Sequence, residues 1–232
     1  MATYVLIHGS FQGAWIWQPT VALLRKAGHV VYAPTQDGCA ERKSGLRPGI
    51  TVTSAAQELA DLMFYEDLKD VIVVGTSTGG LIAQKLAVLG GGRVGRLVFL
   101  DALAPLPGER IRDIVNRPNA PPYQMTELTR FPMPEDLASG LYRRMPPAEK
   151  AWALPRATPH PLGLSDAAPG ELDDFWSRSW KASVIRCAES PNPPEAHQRR
   201  TAEKLKAPYS ELQSGHYAML THPEMTAAAL EG

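Results

Sequence analysis

The chain has little of what marks secreted, nucleic-acid-binding or membrane-spanning proteins. It has only two cysteines, Cys39 and Cys187, which argues against a disulfide framework and is typical of a reducing compartment. Lys plus Arg equals 24 and Asp plus Glu equals 24, so no excess of basic charge favours nucleic acid or an anionic membrane surface. No apolar run approaches the ~20 residues of a membrane helix, and a first strand at about Thr3 leaves no room for a signal peptide. We therefore expect a cytoplasmic protein with no nucleic-acid partner and no membrane partner.

Side chains spaced for metal binding are also missing from the sequence. His216 and His222 do not have the spacing of metal ligands, and the two cysteines form no cluster. We therefore expect neither a metal ion nor a cofactor. The length of 232 residues suits one large α/β domain with a sizeable buried core.

The most informative segment covers residues 71–87. Residues 71–74 are four branched apolar residues, which are typical of a buried strand. Residues 75–79 then read Gly-Thr-Ser-Thr-Gly, which fits Gly-x-Ser-x-Gly, and residues 81–87 have the apolar spacing of a helix. A strand, a tight turn and a helix are the context of a nucleophile elbow, in which the turn lifts a serine hydroxyl above the sheet edge. The segment therefore predicts Ser77 as a catalytic nucleophile, and the start of the following helix favours a developing anion beside it.

Strands and helices alternate along most of the chain. We predict strands at residues 4–7, 29–33, 71–74, 96–100, 183–187 and 209–212. Helices are expected from Trp15 to about Gly28, over residues 53–64, from the elbow to about Leu89, and over residues 195–206 and 223–230. Such alternation gives a mostly parallel sheet with helices on both faces. Functional residues then belong at the carboxyl ends of strands, where we find His8, Ser77, Asp101, Glu189 and His216.

The regular pattern breaks after the fourth predicted strand. Prolines, charges and short helical fragments alternate up to about Trp180, and no strand is predicted there. We interpret residues 105–180 as a cap inserted over the carboxyl edge of the sheet, with residues 1–104 and 181–232 as the core. The cap contains Trp152, Trp176 and Trp180, which either line a mostly apolar substrate pocket or pack within the cap.

His216 is the expected general base for Ser77. A serine hydroxyl is a poor nucleophile unless a base removes its proton, and His216 follows the last predicted strand, where this topology places the base. An oxyanion needs two amide donors. We predict them at Thr78, the residue after the nucleophile, and at Ser10, in the loop after the first strand. In the same loop, Phe11 is expected to pack or to line the substrate pocket.

Together these segments resemble the α/β-hydrolase superfamily. The elbow, His8-Gly9, the late histidine and the inserted cap carry the resemblance. Residues 8–17, which read His-Gly-Ser-Phe-Gln-Gly-Ala-Trp-Ile-Trp, are similar to a subgroup of plant methyl-ester esterases, hydroxynitrile lyases and bacterial pyrethroid-type esterases, as are residues 216–224. The resemblance covers about residues 3–105 and 180–230. It implies the α/β-hydrolase fold and the hydrolysis of a small-molecule ester through a serine acyl-enzyme.

The acid of the catalytic triad departs from the subgroup pattern. The subgroup usually carries it in a motif like Cys-Thr-Glu-Asp after the fifth strand, but residues 187–190 read Cys-Ala-Glu-Ser, so Ser190 stands where the aspartate is expected. There are two candidates for the acid: Asp101, which ends the strand next to that of the nucleophile, and Glu189. An incomplete triad is the third alternative. We favour Asp101, because a register shifted by one residue turns Glu189 away.

Three functions therefore stay open. The first is an ester hydrolase, whose expected partner is a small-molecule ester, with a homodimer left open. The second is a hydroxynitrile-lyase-like or other cofactor-free lyase, although the resemblance implies a lysine and a threonine where this chain has Tyr217 and Gly9. The third is a catalytically weak small-molecule binding module, which the altered acid motif suggests.

Overall fold

The computed structural model describes residues 1–115 and 121–232. The strands in these ranges are β1 (Thr3–Ile7), β2 (Val30–Tyr32), β3 (Val71–Ser77), β4 (Val94–Ala102), β5 (Gln124–Met125), β6 (Thr129–Phe131), β7 (His160–Pro161), β8 (Ala182–Cys187) and β9 (Tyr209–Leu212). The α-helices are α1 (Gln18–Lys26), α2 (Val52–Tyr65), α3 (Gly79–Leu89), α4 (Ile111–Ile114), α5 (Pro134–Ser139), α6 (Pro147–Ala153), α7 (Asp173–Trp176), α8 (Glu195–Leu205), α9 (Ala218–Thr221) and α10 (Pro223–Glu231). Short 3₁₀ helices cover Ala14–Trp17, Ala40–Gly45, Gly91–Arg93, Leu154–Arg156 and Leu162–Leu164.

Six of these strands form one sheet in the order β2-β1-β3-β4-β8-β9, and every neighbouring pair is parallel. In β3, Val73 aligns with Val5 of β1 on one side and with Leu97 of β4 on the other. The fold class predicted from the sequence, a mostly parallel sheet of about six strands, is confirmed. Because all six strands run the same way, their carboxyl ends meet at one edge of the sheet.

Side chains that alternate along the strands enter two apolar clusters, one on each face of the sheet. In β1, Val5 and Ile7 belong to the cluster that includes residues of α2 and α3. Tyr4 and Leu6 belong to the cluster that includes residues of α1 and α10. The strands read as nearly continuous apolar runs because helices cover both faces, as the alternation of elements predicted.

The first helix differs in geometry from its prediction. The segment that begins near Trp15 is a short 3₁₀ helix, Ala14–Trp17, followed by α1. Pro19 lies in the first turn of α1, where its missing N–H removes no helical hydrogen bond. In α2, which begins one residue before the predicted range, Thr51 and Ser54 form a reciprocal capping box with hydrogen bonds of 2.8 and 3.1 Å.

The prediction that residues 105–180 contain no strand is wrong. The segments β5, β6 and β7 form a small antiparallel sheet with β6 in the middle. Each strand has only two or three residues, which is too short for an alternation of apolar and polar residues to be recognised in the sequence. Pro161 lies on β7, an edge strand, where a missing N–H is tolerated.

Apolar side chains from residues 105–180 join both clusters of the main sheet. Leu137 and Tyr142 belong to the cluster on one face, and Leu164 and Phe175 belong to the cluster on the other. The segment therefore packs on the same cores as the sheet. Within residues 1–115 and 121–232, no helix has the length and the apolar character needed to cross a bilayer.

Candidate active site

Ser77 ends β3 at the turn into α3 and has a φ of +51°, in the left-handed region. The turn requires backbone segments to approach closely. A Cβ on Gly79 would lie 2.6 Å from the carbonyl oxygen of Ile7, and a Cβ on Gly75 would lie 2.7 Å from the carbonyl oxygen of Gly79. These distances explain why Gly-x-Ser-x-Gly needs glycine at both ends. The turn places Ser77 in the wall of a cavity at the carboxyl edge of the sheet.

Asp101 and His216 form a direct side-chain contact. Oδ2 of Asp101 lies 2.6 Å from Nδ1 of His216, and both side chains are buried. Asp101 is the extra residue of a β-bulge, because the register between β3 and β4 passes from Leu100 to Ala102 without it. Its φ of +45° marks the irregularity. A bulge re-aims the side chain of the extra residue, and here the carboxylate meets the loop that follows β9.

The other oxygen of the Asp101 carboxylate has its own donors. Oδ1 accepts hydrogen bonds from the amide of Cys187 at 3.1 Å and from Nε2 of Gln198 at 2.8 Å. These donors replace the water that a fully buried carboxylate loses. Burial and the charge of Asp101 raise the pKa of the Cys187 thiol, which is therefore neutral. Sequence reasoning missed Gln198, because a single glutamine within a helix belongs to no motif.

Glu189, the alternative acid, has a different partner. Its carboxylate lies 3.4 Å from Nε of Arg144, and its side chain is 44% exposed. The residue lines the cavity, but the Nδ1 position of His216 is occupied by Asp101. The hydroxyl of Ser190, at the place of the expected aspartate, donates to the carbonyl oxygen of Asn192 at 2.7 Å.

Ser10 and Thr78, whose amides the sequence predicts as oxyanion donors, lie side by side. Their hydroxyl oxygens are 3.0 Å apart. Neither amide donates a backbone hydrogen bond within residues 1–115 and 121–232. The loop after β1 also runs against the nucleophile, since a Cβ on Gly9 would lie 2.5 Å from Cβ of Ser77. Both amides are thus near the serine and available to an acceptor.

Buried polar side chains hold this loop in place. Nδ1 of His8 lies 2.8 Å from the carbonyl oxygen of Gly9, and Nε2 accepts from the amide of Gln36 at 3.1 Å. Because Nε2 accepts, Nδ1 carries the proton and donates, so the ring is neutral. Burial lowers the pKa of His8 to about 4, in agreement with a neutral ring. Gln12 adds a bond from the amide of Gly9 to its Oε1 at 3.2 Å.

Phe11 and Arg130 form the wall beside Ser10. Arg130 donates from Nη2 to Oγ of Ser10 at 2.9 Å and from Nε to Oγ of Ser165 at 2.6 Å. Its guanidinium carbon lies 5.0 Å from the centre of the Phe11 ring and 4.7 Å from that of Tyr123. Sequence reasoning missed Arg130, because the residue lies on β6, one of the short strands that the pattern did not predict.

These residues line a cavity of about 1430 Å³. The sheet and its loops contribute Ser10, Phe11, Ser77, Thr78 and His216. Residues 105–180 contribute apolar side chains and most of the charges. The charged side chains in the described lining are Arg110, Arg112, Asp113, Arg130, Asp136, Arg143, Arg144, Asp166 and Glu189. The sequence led us to expect a mostly apolar pocket, and these charged side chains were not predicted.

The sequence model described as "Alpha/beta hydrolase family" matches residues 4–229. The chain belongs to the α/β-hydrolase family. The family membership that the sequence motifs indicated is therefore confirmed, and so is the resemblance to the named subgroup of this family.

Two curated proteins illustrate the range of α/β-hydrolase relatives. A carbendazim hydrolyzing esterase of Nocardioides sp. (strain SG-4G) is 36% identical over 111 residues, which are 48% of this chain and 46% of that protein. An alpha-hydroxynitrile lyase of Arabidopsis thaliana is 32% identical over 103 residues, 44% of this chain and 40% of that protein. The chain thus spans less than half the length of these curated relatives.

Solved α/β-hydrolase structures match over the whole chain. An extracellular alpha/beta-hydrolase from a Paenibacillus species superposes with a TM-score of 0.81 at 25% identity, covering 100% of this chain and 98% of that one. That protein is described as sharing structural and functional homology with tobacco salicylic acid binding protein 2.

The three tryptophans of residues 105–180 pack within this α/β-hydrolase and are not part of the described cavity lining. Trp180 stacks on Phe175 with ring centres 5.3 Å apart, and Trp176 donates from Nε1 to the carbonyl oxygen of Pro105 at 2.7 Å. Trp152 packs edge-to-face against another tryptophan ring at 5.6 Å. Of the two interpretations of these residues, packing is the one that the structure supports.

A buried cysteine–histidine contact lies outside the described cavity lining. Sγ of Cys39 is 3.8 Å from Nδ1 of His160, and both side chains are buried. Burial raises the pKa of the Cys39 thiol to about 12, so the thiol is neutral and a poor metal ligand. In the part of the chain that the structure describes, no group of three or more His, Cys, Asp and Glu side chains is arranged to hold a metal ion.

Proposed function

We propose that the chain is a serine hydrolase that cleaves a carboxylic ester of a small, mostly apolar substrate through an acyl-enzyme. The observation that carries the proposal is the 2.6 Å contact between Asp101 and Nδ1 of His216, at a cavity that Ser77 also lines. A relative named as a carbendazim hydrolyzing esterase, 36% identical over 111 residues, supports ester hydrolysis in particular.

In the first step His216 acts as the general base. When Nδ1–H is donated to Asp101, the lone pair of the neutral ring is on Nε2. Nε2 takes the proton of Ser77 as Oγ attacks the ester carbonyl, and the Asp101 carboxylate stabilises the resulting imidazolium. The imidazolium then gives this proton to the leaving alcohol as the ester C–O bond breaks, and the acyl group stays on Ser77.

In the second step water releases the acyl group. His216 takes a proton from water, the oxygen attacks the acyl carbonyl, and Ser77 leaves with the proton that the imidazolium returns. In both steps the amides of Ser10 and Thr78 donate to the negative oxygen of the tetrahedral intermediate. The products are the carboxylic acid and the alcohol.

We further propose that residues 105–180 are a cap over a core formed by residues 1–104 and 181–232. Tyr123 and Arg130 from this segment line the same cavity as Ser77 and His216, which supports the assignment. The core then carries out the chemistry, whereas Phe11 and the cap decide which ester fits.

A cofactor-free lyase is the second candidate, because one relative is an alpha-hydroxynitrile lyase. Tyr217 stands where that resemblance implies a lysine. Burial raises the pKa of Tyr217 well above its ordinary value, so the phenol is neutral and places no positive charge beside His216. This neutral neighbour favours the hydrolase over the lyase.

Hydrolysis of p-nitrophenyl acetate and butyrate tests the proposed function. We expect the wild-type chain to release p-nitrophenolate and Ser77→Ala to lose about six orders of magnitude in kcat. Ser177→Ala removes an exposed hydroxyl outside the described cavity lining and is expected to retain wild-type rates. Equal rates in the wild type and Ser77→Ala would contradict a serine acyl-enzyme.

A further inference from the structure

Arg130 brings a permanent positive charge to the wall of the cavity nearest the proposed oxyanion donors. Its Nη2 donates to Oγ of Ser10 at 2.9 Å, and that oxygen lies 3.0 Å from Oγ1 of Thr78. Two successive hydrogen bonds thus join the guanidinium to both residues whose amides we propose for the oxyanion. A guanidinium stays protonated at every pH at which a protein is folded. A cation therefore lies beside the two residues whose amides we propose for the oxyanion.

The orientation of this guanidinium is fixed by its surroundings. Nε donates to Oγ of Ser165 at 2.6 Å, while the rings of Phe11 and Tyr123 lie 5.0 and 4.7 Å from the guanidinium carbon. A planar fork that is already held in place loses little freedom when it binds a planar anion. The two rings also provide apolar surface directly beside the cation.

Four other charged side chains of the described cavity lining form two ion pairs. Arg110 lies 3.2 Å from Asp166, and Arg144 lies 3.4 Å from Glu189, all on exposed or partly exposed side chains. Such pairs nearly cancel at a distance and are screened by solvent. The field of Arg130 reaches buried groups, since its charge adds to burial in lowering the pKa of His160.

We propose that Arg130 selects esters that carry a carboxylate a few bonds from the reacting carbonyl, that is, half-esters of dicarboxylic acids. This inference rests on the ester hydrolysis proposed above and changes its substrate class: the carbon chain is apolar, but its far end carries one negative charge. The free carboxylate pairs with the guanidinium, a charge-assisted contact of the strong kind. The short carbon chain between the two carbonyl groups lies on Phe11 and Tyr123. Arg130 is thereby a specificity-determining residue.

Monomethyl glutarate and the methyl ester of glutaramic acid form a matched substrate pair, because the amide has the shape of the carboxylate without its charge. We expect wild-type kcat/KM to be at least about ten-fold higher for the charged ester, with most of the difference in KM. Raising the salt concentration should reduce this preference. Equal kcat/KM values for the two esters would overturn the proposal.

Substitutions at Arg130 show whether this charge is responsible. We expect Arg130→Gln to bring the ratio of the two kcat/KM values close to one, and Arg130→Lys to retain part of the preference. Arg178→Gln is the control, because it removes an exposed arginine outside the described lining, and it should keep the wild-type ratio. If Arg130→Gln lowers both values equally and keeps their ratio, Arg130 only supports Ser10 and does not bind the substrate.

A binding measurement separates this inference from the proposed function. Calorimetric titration of Ser77→Ala with each ester requires no turnover. We expect monomethyl glutarate to bind at least about ten-fold more tightly than the neutral ester, and Ser77→Ala combined with Arg130→Gln to bind both equally. Preferential binding without hydrolysis by the wild type would refute the esterase and keep the anion site. Hydrolysis without preferential binding would refute the anion site alone.

Discussion

At the scale of single residues, the contact of Asp101 with His216 distinguishes between two candidate acids. Asp101 is an extra residue in a bulge of β4, and its carboxylate meets three donors: the ring of His216, the amide of Cys187 and the side chain of Gln198. The donors from Cys187 and Gln198 hold Oδ1, so that Oδ2 faces the imidazole in one orientation. Such a carboxylate selects the histidine tautomer that can accept a proton on Nε2.

Asp101→Asn is expected to lower kcat by about four orders of magnitude. The two bonds to the side-chain oxygen can form in the variant, so the amide nitrogen faces Nδ1 of His216 and donates to it. The proton of the ring is then on Nε2, which cannot take a proton from Ser77. Steady-state hydrolysis of p-nitrophenyl butyrate measures the loss.

Glu189→Gln is the matched control for this variant. Because Glu189 is paired with Arg144, we expect the control to retain most of the wild-type kcat. The opposite pattern, a large loss in Glu189→Gln and a small one in Asp101→Asn, would assign the acid to residue 189 and contradict this account.

The residues that sequence reasoning could place are those with a local signature. Ser77 stands in a pentapeptide whose glycines are required by contacts between strand and helix backbones, and His216 follows the last strand, so topology alone gives its position. Gln198 and Arg130 have no such signature. Each acts through a partner about 100 residues away in sequence, Asp101 and Ser10 respectively, and only the folded chain brings these pairs together.

At the scale of secondary-structure elements, the crossing of α3 over the end of β1 sets the site geometry. Gly79 lets the first turn of α3 approach the carbonyl oxygen of Ile7, where a Cβ would be only 2.6 Å away. The same crossing brings the loop after β1, with Ser10, next to Thr78. Stability and the geometry of the proposed oxyanion donors therefore depend on the same contact.

Gly79→Ala is expected to lower the free energy of unfolding by about 1–3 kcal/mol, or more if the backbone cannot adjust. Urea denaturation measures this change. Gly92→Ala is the control, because a Cβ there meets no atom within 4 Å, and its effect should stay within about 0.5 kcal/mol. Equal stability of the two variants would mean that α3 does not approach β1 as closely as described.

Elements of the sheet could be predicted because their patterns are long and regular. The four branched residues of β3 are sufficient to predict a buried strand, and the apolar spacing of α3 is sufficient to predict a helix. The antiparallel sheet of β5, β6 and β7 could not be predicted, since each strand has only two or three residues. Of the two site residues that sequence reasoning missed, Arg130 lies on this less regular part of the chain, and Gln198 lies in the regular helix α8.

At the scale of the whole molecule, buried neutral histidines link folding to pH. Burial lowers the pKa of His8 to about 4, and burial together with the charge of Arg200 lowers that of His197 to about 4. An unfolded histidine has a pKa of about 6.5. Between these values the unfolded chain binds protons at both positions and the folded chain does not. Their contribution to stability is thus full above about pH 6.5 and is lost as the pH falls toward 4.

We expect the free energy of unfolding to fall between pH 7 and pH 4.5, with each of these histidines contributing up to about 1.4 kcal/mol per pH unit in the steep part. Urea denaturation at pH 7, 6 and 5 measures the slope. Carboxylates also titrate toward the acid end, so the decisive comparison is with His197→Gln, whose slope should be smaller than that of the wild type. An unchanged slope would show that His197 does not titrate as described.

The central claim is that Ser77 becomes covalently acylated in a site assembled from the carboxyl ends of four strands, β1, β3, β4 and β9. Intact-protein mass spectrometry after reaction with a p-nitrophenyl alkylphosphonate, followed by peptide mapping, tests it most directly. We expect one phosphonyl group per chain, located on Ser77, with the reaction slowed strongly in Asp101→Asn and absent in Ser77→Ala. A label on another residue, or equal labelling of Ser77→Ala, would contradict the account.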